Sequence, residues 1–150
     1  MQKITPFLWF NNNAEEAMNY YTSVFTDAKV GNVMRYPDGR VLTCDFELFG
    51  QKFIALNGGP MFQFTEAVSF FVSCESQEEV DKYWNALTAD GGQESQCGWL
   101  KDKFGLSWQI VPKALSTHLQ NPDKEKAQKA MQAMMKMKKI VVSELEDAVK

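Results

Sequence analysis

The sequence predicts an α+β fold in which two βαβββ modules follow one another and a helical tail closes the chain. Three observations lead there. A short aromatic-rich strand pattern followed by an amphipathic helix occurs twice, first over residues 3–25 and again over 68–87. Strand-like segments separated by turn residues follow each helix. From Asn121 onward the alternating patterns give way to Lys-, Ala- and Met-rich helical spacing.

Residues 3–10 alternate weakly and are rich in Ile, Phe and Trp, which predicts the first strand. Asn13 with Glu16 three residues on predicts a capped helix start, and Ala17, Tyr20, Tyr21, Val24 and Phe25 continue at helical spacing. Residues 29–36, 40–48 and 52–57 read as an antiparallel meander, broken at Pro37-Asp38-Gly39 and Phe49-Gly50-Gln51. In its middle strand Leu42, Cys44, Phe46 and Leu48 share one face, against Val41, Thr43, Asp45 and Glu47 on the other. Periodicity lapses from Asn57-Gly58-Gly59-Pro60 to Thr65, which reads as a linker.

The order then restarts. Val68 to Cys74 is strand-like, Ser76 with Glu79 caps a second helix, and Val80, Tyr83, Trp84 and Leu87 follow. With a shift of 63, Asn13 falls on Ser76, Glu16 on Glu79 and Tyr21 on Trp84, so an internal repeat is the simplest account. Gly98 to Pro112 predicts a hairpin turning at Lys103-Phe104-Gly105, with Leu106, Trp108 and Ile110 on one face and Ser107, Gln109 and Val111 on the other. In the tail, Asn121-Pro122-Asp123 predicts a helix with proline in its first position. Ala127, Ala130, Met131, Met134, Met135 and Lys138 form one face, and Ser143 with Glu146 caps a last helix. That methionine face suits packing across a neighbouring module or subunit.

Module one spans about 1–60, module two about 66–112 and the tail 113–150, within a chain of 150 residues. A net charge of −3 offers no basis for nucleic-acid binding, and no apolar run reaches the roughly 20 residues of a membrane span. The amino terminus reads directly into a strand with no cationic, apolar leader, so a cytoplasmic location is expected. Cys44, Cys74 and Cys97 are odd in number and lack metal-type spacing, which predicts reduced, packed thiols. No glycine-rich turn joins a strand to a helix, so no nucleotide-type cofactor is expected. A single histidine, His118, without a nucleophile motif, gives no basis for a triad.

Ser69-Phe70-Phe71-Val72, Gly98-Trp99-Leu100-Lys101-Asp102 and Phe104 to Pro112, set in this repeated order, resemble the PhnB-like branch of the vicinal oxygen chelate superfamily. That superfamily includes glyoxalase I, bleomycin-resistance proteins and extradiol dioxygenases, and the branch often carries the label 3-demethylubiquinone-9 3-methyltransferase. Lys124-Glu125-Lys126-Ala127 and Met137-Lys138-Lys139-Ile140 are similar to the branch as well. The resemblance implies two incomplete barrels around a shared cavity, and a homodimer. Metal-using members take one ligand from the first and last strand of each module. Those places fall at or within one residue of Thr5, Asn57, Ser69 and Gln109, none of which is His or Glu. No metal is therefore expected, since neutral amides and hydroxyls alone bind divalent ions weakly.

The resulting expectation is a small-molecule-binding protein, serving in ligand sequestration or an uncharacterised catalysis. Thr5, Phe7, Trp9, Asn57, Ser69, Phe71 and Gln109 would meet an organic ligand through hydrogen bonds and stacking. The alternative is a metal-assisted isomerase, lyase or dioxygenase, for which Asp45, Glu47 and Asp102 are the candidate carboxylates.

Overall fold

Pro6 sets the start of the first strand: it has no N–H to give a ladder, although its carbonyl accepts from Ile54 N–H at 3.0 Å. In the computed structural model, which describes residues 2–150, β1 is therefore Phe7–Phe10 and leaves residues 3–6 outside the strand. α1 (Ala14–Val24), β2 (Ala28–Arg35), β3 (Val41–Leu48) and β4 (Gln51–Asn57) follow. The sheet order is β1-β4-β3-β2, with β1 parallel to β4 and the other pairs antiparallel. The meander forms as the turn chemistry predicts.

Period two sorts this sheet into two faces. Leu8, Phe10, Cys44, Phe46, Leu48, Phe53 and Ala55 are buried on the helix side, as are Ala14, Ala17, Met18, Tyr21 and Val24 of α1. Phe46 stacks on Phe53 at 5.3 Å and lies 5.9 Å from the Tyr21 ring. Each such fully buried side chain stabilises the unit by roughly 1.5–3 kcal/mol. The helix start differs from expectation, because the Asn13 side chain makes no cap hydrogen bond. Asn57 caps α1 instead, its Oδ1 accepting from Ala14 N–H at 2.8 Å.

The chain divides into two units, Met1–Phe64 and Thr65–Lys150. The second contains β5 (Ser69–Cys74), α2 (Gln77–Thr88), β6 (Gln93–Glu94), β7 (Trp99–Lys101) and β8 (Ser107–Pro112), in the sheet order β5-β8-β7-β6. This repeats the first order strand for strand, with the β5–β8 pair again parallel. Ser76 accepts from Glu79 N–H at 3.2 Å, the cap its sequence predicts, and Val80, Tyr83, Trp84 and Leu87 are buried. They pack on the side of Leu100, Trp108 and Ile110.

Asp102 organises the hairpin turn. It is 2% exposed; its Oδ1 accepts from Phe104 N–H at 2.9 Å and Leu106 N–H at 3.1 Å, and its Oδ2 from Trp108 Nε1–H at 2.9 Å. A carboxylate committed to three donors of its own turn is scaffold, which corrects its place among the candidate catalytic carboxylates.

The tail forms α3 (Lys113–Leu119), α4 (Lys124–Met134) and α5 (Val142–Ala148). It packs on its own unit, where Ala130, Met137, Ile140 and Leu145 form a core with Val111 and Leu115. Gly98, at φ 86°, lets Ile140 approach where a Cβ would lie 3.1 Å from the Ile140 side chain. Met134 packs against that core, whereas Met131 and Met135 are 48% and 63% exposed. Two helix starts are shifted. Asp123, not a residue before Pro122, caps α4 by accepting from Glu125 and Lys126 N–H. Ser143 lies inside α5, whose first N–H, that of Val142, donates to Gln77 Oε1 at 2.7 Å. Among the described residues no helix is long and apolar enough to cross a membrane.

Candidate functional site

In each unit helices cover one face of the sheet, and Phe7, Trp9, Ser69, Phe71 and Gln109 of the candidate residues lie on the other. In the second unit the register aligns two rows across that open face. Ser69, Ser107, Lys101 and Gln93 form one, and Phe71, Gln109 and Trp99 the next. Phe71 is 58% exposed, while Gln109 and Ser69 are half-buried. Gln109 Nε2–H donates to Ser69 Oγ at 3.0 Å, so the two positions expected from the end strands of this module do come together. The amide oxygen of Gln109 and the hydroxyl proton of Ser69 are free to meet another group, since neither residue has a further protein partner among the described residues. Val111, on the same face farther along β8, is covered by the tail core, which closes one end of the open surface.

The first unit builds the same rows from different chemistry. Phe7, Ile54 and Asp45 lie in one, and Trp9, Leu56 and Thr43 in the next. Phe7 is 56% exposed and mirrors Phe71, one row on in the same parallel pairing. The mirror of Gln109 is therefore Ile54, not Asn57. Trp9 is fixed from below: its Nε1–H donates to Gly59 carbonyl at 2.9 Å, its ring meets Phe62 edge-on at 4.9 Å, and it lies flat against Gly58. Thr5 stands just before β1 and its hydroxyl accepts from Gln2 Nε2–H at 3.3 Å.

Asn57 requires a correction. It pairs with Phe10, whose side chain is buried on the helix side, so strand parity turns Asn57 away from the face that carries Phe7 and Trp9. Its Oδ1 caps α1 and its Nδ2–H donates to Val41 carbonyl at 3.1 Å. Both ends of the amide serve the scaffold. Asp45 is also engaged, accepting from Asn32 N–H at 3.1 Å where β2 bulges around Gly31.

A metal centre of the His/Glu type asks for several anionic or imidazole donors at one place. Thr5, Ser69 and Gln109 offer neutral oxygen and amide groups, and Asn57 points elsewhere. Among the described residues no three His, Cys, Asp or Glu side chains gather in one group. This donor set does not fit such an ion. A methyl-donor nucleotide fits no better: the strand-to-helix junctions β1–α1, β5–α2 and β8–α3 run through Asn11-Asn12-Asn13, Glu75-Ser76 and directly from Pro112 to Lys113, none containing glycine.

Paired βαβββ sheets of this order define the glyoxalase/bleomycin-resistance class of fold. The similarity extends to a glyoxylase/bleomycin resistance protein/dioxygenase domain from Frankia sp. EAN1pec, at 15% identity and a TM-score of 0.52, covering 75% of this chain and 92% of that one. It extends also to the fosfomycin resistance protein FosX from Listeria monocytogenes, solved with Mn(II) and sulfate. That match has 14% identity and a TM-score of 0.53, over 71% of this chain and 86% of that one. A PhnB protein from Bacillus cereus is 37% identical, with a TM-score of 0.69, over 74% of this chain and 99% of that one. Residues 2–111 match the model of the family described as 3-demethylubiquinone-9 3-methyltransferase, and the chain belongs to that PhnB-like family. No curated protein matches it.

Proposed function

We propose that this chain binds a small organic ligand on the open face of its second sheet and uses no metal in doing so. The observation that carries the reading is the Gln109–Ser69 pair beside the exposed Phe71 ring. An aromatic surface with a few convergent, incompletely used polar groups is the usual make-up of an organic-ligand site. Gln109 and Ser69 would orient the ligand by hydrogen bonds, and Phe71 and Trp99 would contribute apolar and stacking contact. Phe7 and Trp9 present a more apolar surface on the first unit, where Ile54 replaces the amide. FosX holds Mn(II) in this fold; here the neutral donors favour direct polar contact with the ligand over metal-assisted chemistry.

The test is a thermal-shift screen of small organic compounds on wild type and Gln109→Leu. Leucine keeps the approximate volume and removes the amide, so a genuine ligand should bind about 5- to 100-fold more weakly, the equivalent of about 1–3 kcal/mol. The ligand-free variant should melt within a few degrees of wild type, because half-buried Ser69 can turn its hydroxyl to water. A clear drop in the ligand-free melting temperature would make Gln109 a structural residue and sink this reading.

The same reading makes the protein a homodimer, since the family resemblance implies one and Met131 and Met135 stand exposed on α4. Sedimentation equilibrium showing only monomer at micromolar concentration would remove that claim.

A further inference from the structure

One end of the open face of the second sheet is a recess of about 240 Å³, floored by Ser107 and bordered by Lys101, Trp99, Gln93 and Glu66. Ser107 is 1% exposed and its hydroxyl has no hydrogen-bond partner among the described residues. Leaving a buried hydroxyl unpaired carries the full cost of its desolvation. Such an orphan is uncommon enough in folded proteins to call for a cause. Directly across the ladder from Ser107 stands Lys101, whose ammonium pairs with the carboxylate of Glu66. Glu66 lies on the irregular segment before β5, and its side chain is 60% exposed, so the pair is a surface contact of low stability.

We infer that the Ser107 recess binds a small organic carboxylate, which takes the place of Glu66 at Lys101 and accepts the hydroxyl proton of Ser107. In the unliganded chain the Glu66 carboxylate stands in for that of the ligand. Gln93 lies in the same row and supplies a further amide donor, and Trp99 forms an apolar side wall.

The charge of the recess selects the ligand class. Glu94 also borders it, but its carboxylate accepts from Trp84 Nε1–H at 2.7 Å, and its ladder partner Leu100 is buried on the helix side, so it is directed away from the open face. Once Glu66 swings out, a single ammonium, the hydroxyls of Ser107 and Ser95 and the Gln93 amide remain. That set matches a monoanion; a phosphate dianion is ordinarily met by several cations or a guanidinium fork. The volume falls below the roughly 300 Å³ at which drug-sized sites begin, which limits the ligand to a small molecule.

This inference deepens the reading of the open face given above and rests on it, because Ser107 and Gln109 are next neighbours on one face of β8. The test titrates the full 15N-labelled chain with sodium benzoate and, separately, with its neutral isostere benzamide at constant ionic strength, following amide resonances. Benzoate should shift the Lys101 and Ser107 amides and bind at least about tenfold more tightly than benzamide, as a charge-assisted hydrogen bond requires.

Glu66→Gln should tighten benzoate binding roughly two- to fivefold by removing the internal competitor. Lys101→Gln should weaken it by about tenfold or more. Ser107→Ala should weaken it several-fold while the melting temperature holds or rises, because the hydroxyl removed has no protein partner to abandon. Equal binding of benzoate and benzamide, no shift at these two amides, or a Glu66→Gln variant no tighter than wild type would each overturn the inference. Binding lost in Gln109→Leu but unchanged in Lys101→Gln would also overturn it, leaving the open-face reading in place. Binding lost in Lys101→Gln but kept in Gln109→Leu would uphold the carboxylate recess and remove Gln109 from the site.

Discussion

Replacing Asp102 with Asn changes one atom and reverses the sense of one contact. The amide oxygen can keep the two backbone donors, Phe104 and Leu106 N–H, that Oδ1 accepts at 2.9 and 3.1 Å. Its NH2 group then faces Trp108 Nε1–H across the 2.9 Å that separates donor from acceptor in wild type. Two donors now oppose one another inside a site 2% exposed. Turning the amide over repairs the indole contact and sets the NH2 against two backbone donors, which is worse. The loss combines one charge-assisted bond, one unsatisfied buried donor and the weakening of two bonds from ionic to neutral. Allowing for non-additivity, about 3 kcal/mol is expected.

For a chain of 150 residues, roughly 2–4 °C per kcal/mol gives a fall in melting temperature of about 6–12 °C. Thermal unfolding followed by tryptophan fluorescence measures it, and urea unfolding gives the free-energy difference. Trp84, Trp99 and Trp108 report on the second unit and Trp9 on the first, so the shift should follow the former group. A double-mutant cycle with Trp108→Phe isolates the indole contact, and Asp102→Asn should cost about 1–2 kcal/mol less in that background. A cost below about 1 kcal/mol in wild type, or no coupling to Trp108, would refute the role given to this carboxylate.

Gln77→Ala should loosen the tail, because Gln77 donates to Ile140 carbonyl at 3.0 Å and accepts from Val142 N–H at 2.7 Å; faster amide exchange confined to residues 140–148 checks it. Acid should weaken the same seam: the Lys139 ammonium, then Gln77, hold the Asp81 carboxyl below its ordinary range, so this contribution is present above that range and lost as pH falls through the lowered value. An Asp81→Asn variant whose acid unfolding curve overlays wild type would contradict it. Burial pushes the Cys44 and Cys74 thiols up to about 11 and 12, so both should resist iodoacetamide at pH 8 in the folded chain and react once it is unfolded. The same shift makes stability fall as pH rises above the ordinary thiol value of 9.0, where the unfolded chain alone gives up those protons. Gly58→Ala would place a Cβ 2.3 Å from the Trp9 ring and displace the indole from Gly59 carbonyl, costing about 1–3 kcal/mol and moving the Trp9 indole N–H resonance.

What the sequence made legible and what it hid divide along the distance between interacting residues. Ser76 and Glu79 are three apart and the cap between them forms as read. The helix faces of α1 and α2 are legible for the same reason, since Ala17, Tyr21 and Val24 in one and Val80, Trp84 and Leu87 in the other lie within two turns. α1 and α5 take their caps from Asn57 and Gln77, 43 and 65 residues away, and no local pattern announces an acceptor so remote. Asp102 was legible as a turn residue, but the indole that completes its coordination depends on β8 folding back beside it.

The candidate site obeys the same division, with one further condition. Transferring a position by resemblance to within one residue is adequate for a helix and inadequate for a strand, because one residue reverses the face. Asn57 failed on that step, whereas Ser69 and Gln109 kept theirs and meet across the parallel β5–β8 pair. The repeat also suggests two equivalent half-sites, and the register denies it. Ile54 stands where Gln109 stands, and the row of Ser69, Ser107, Lys101 and Gln93 is matched in the first unit by Lys52, Glu47 and Lys29, which are charged groups of different chemistry. Duplication preserved the apolar rows that each helix needs beneath it and left the open rows to diverge. The position that presents an amide on the open face of the second unit is therefore apolar in the first.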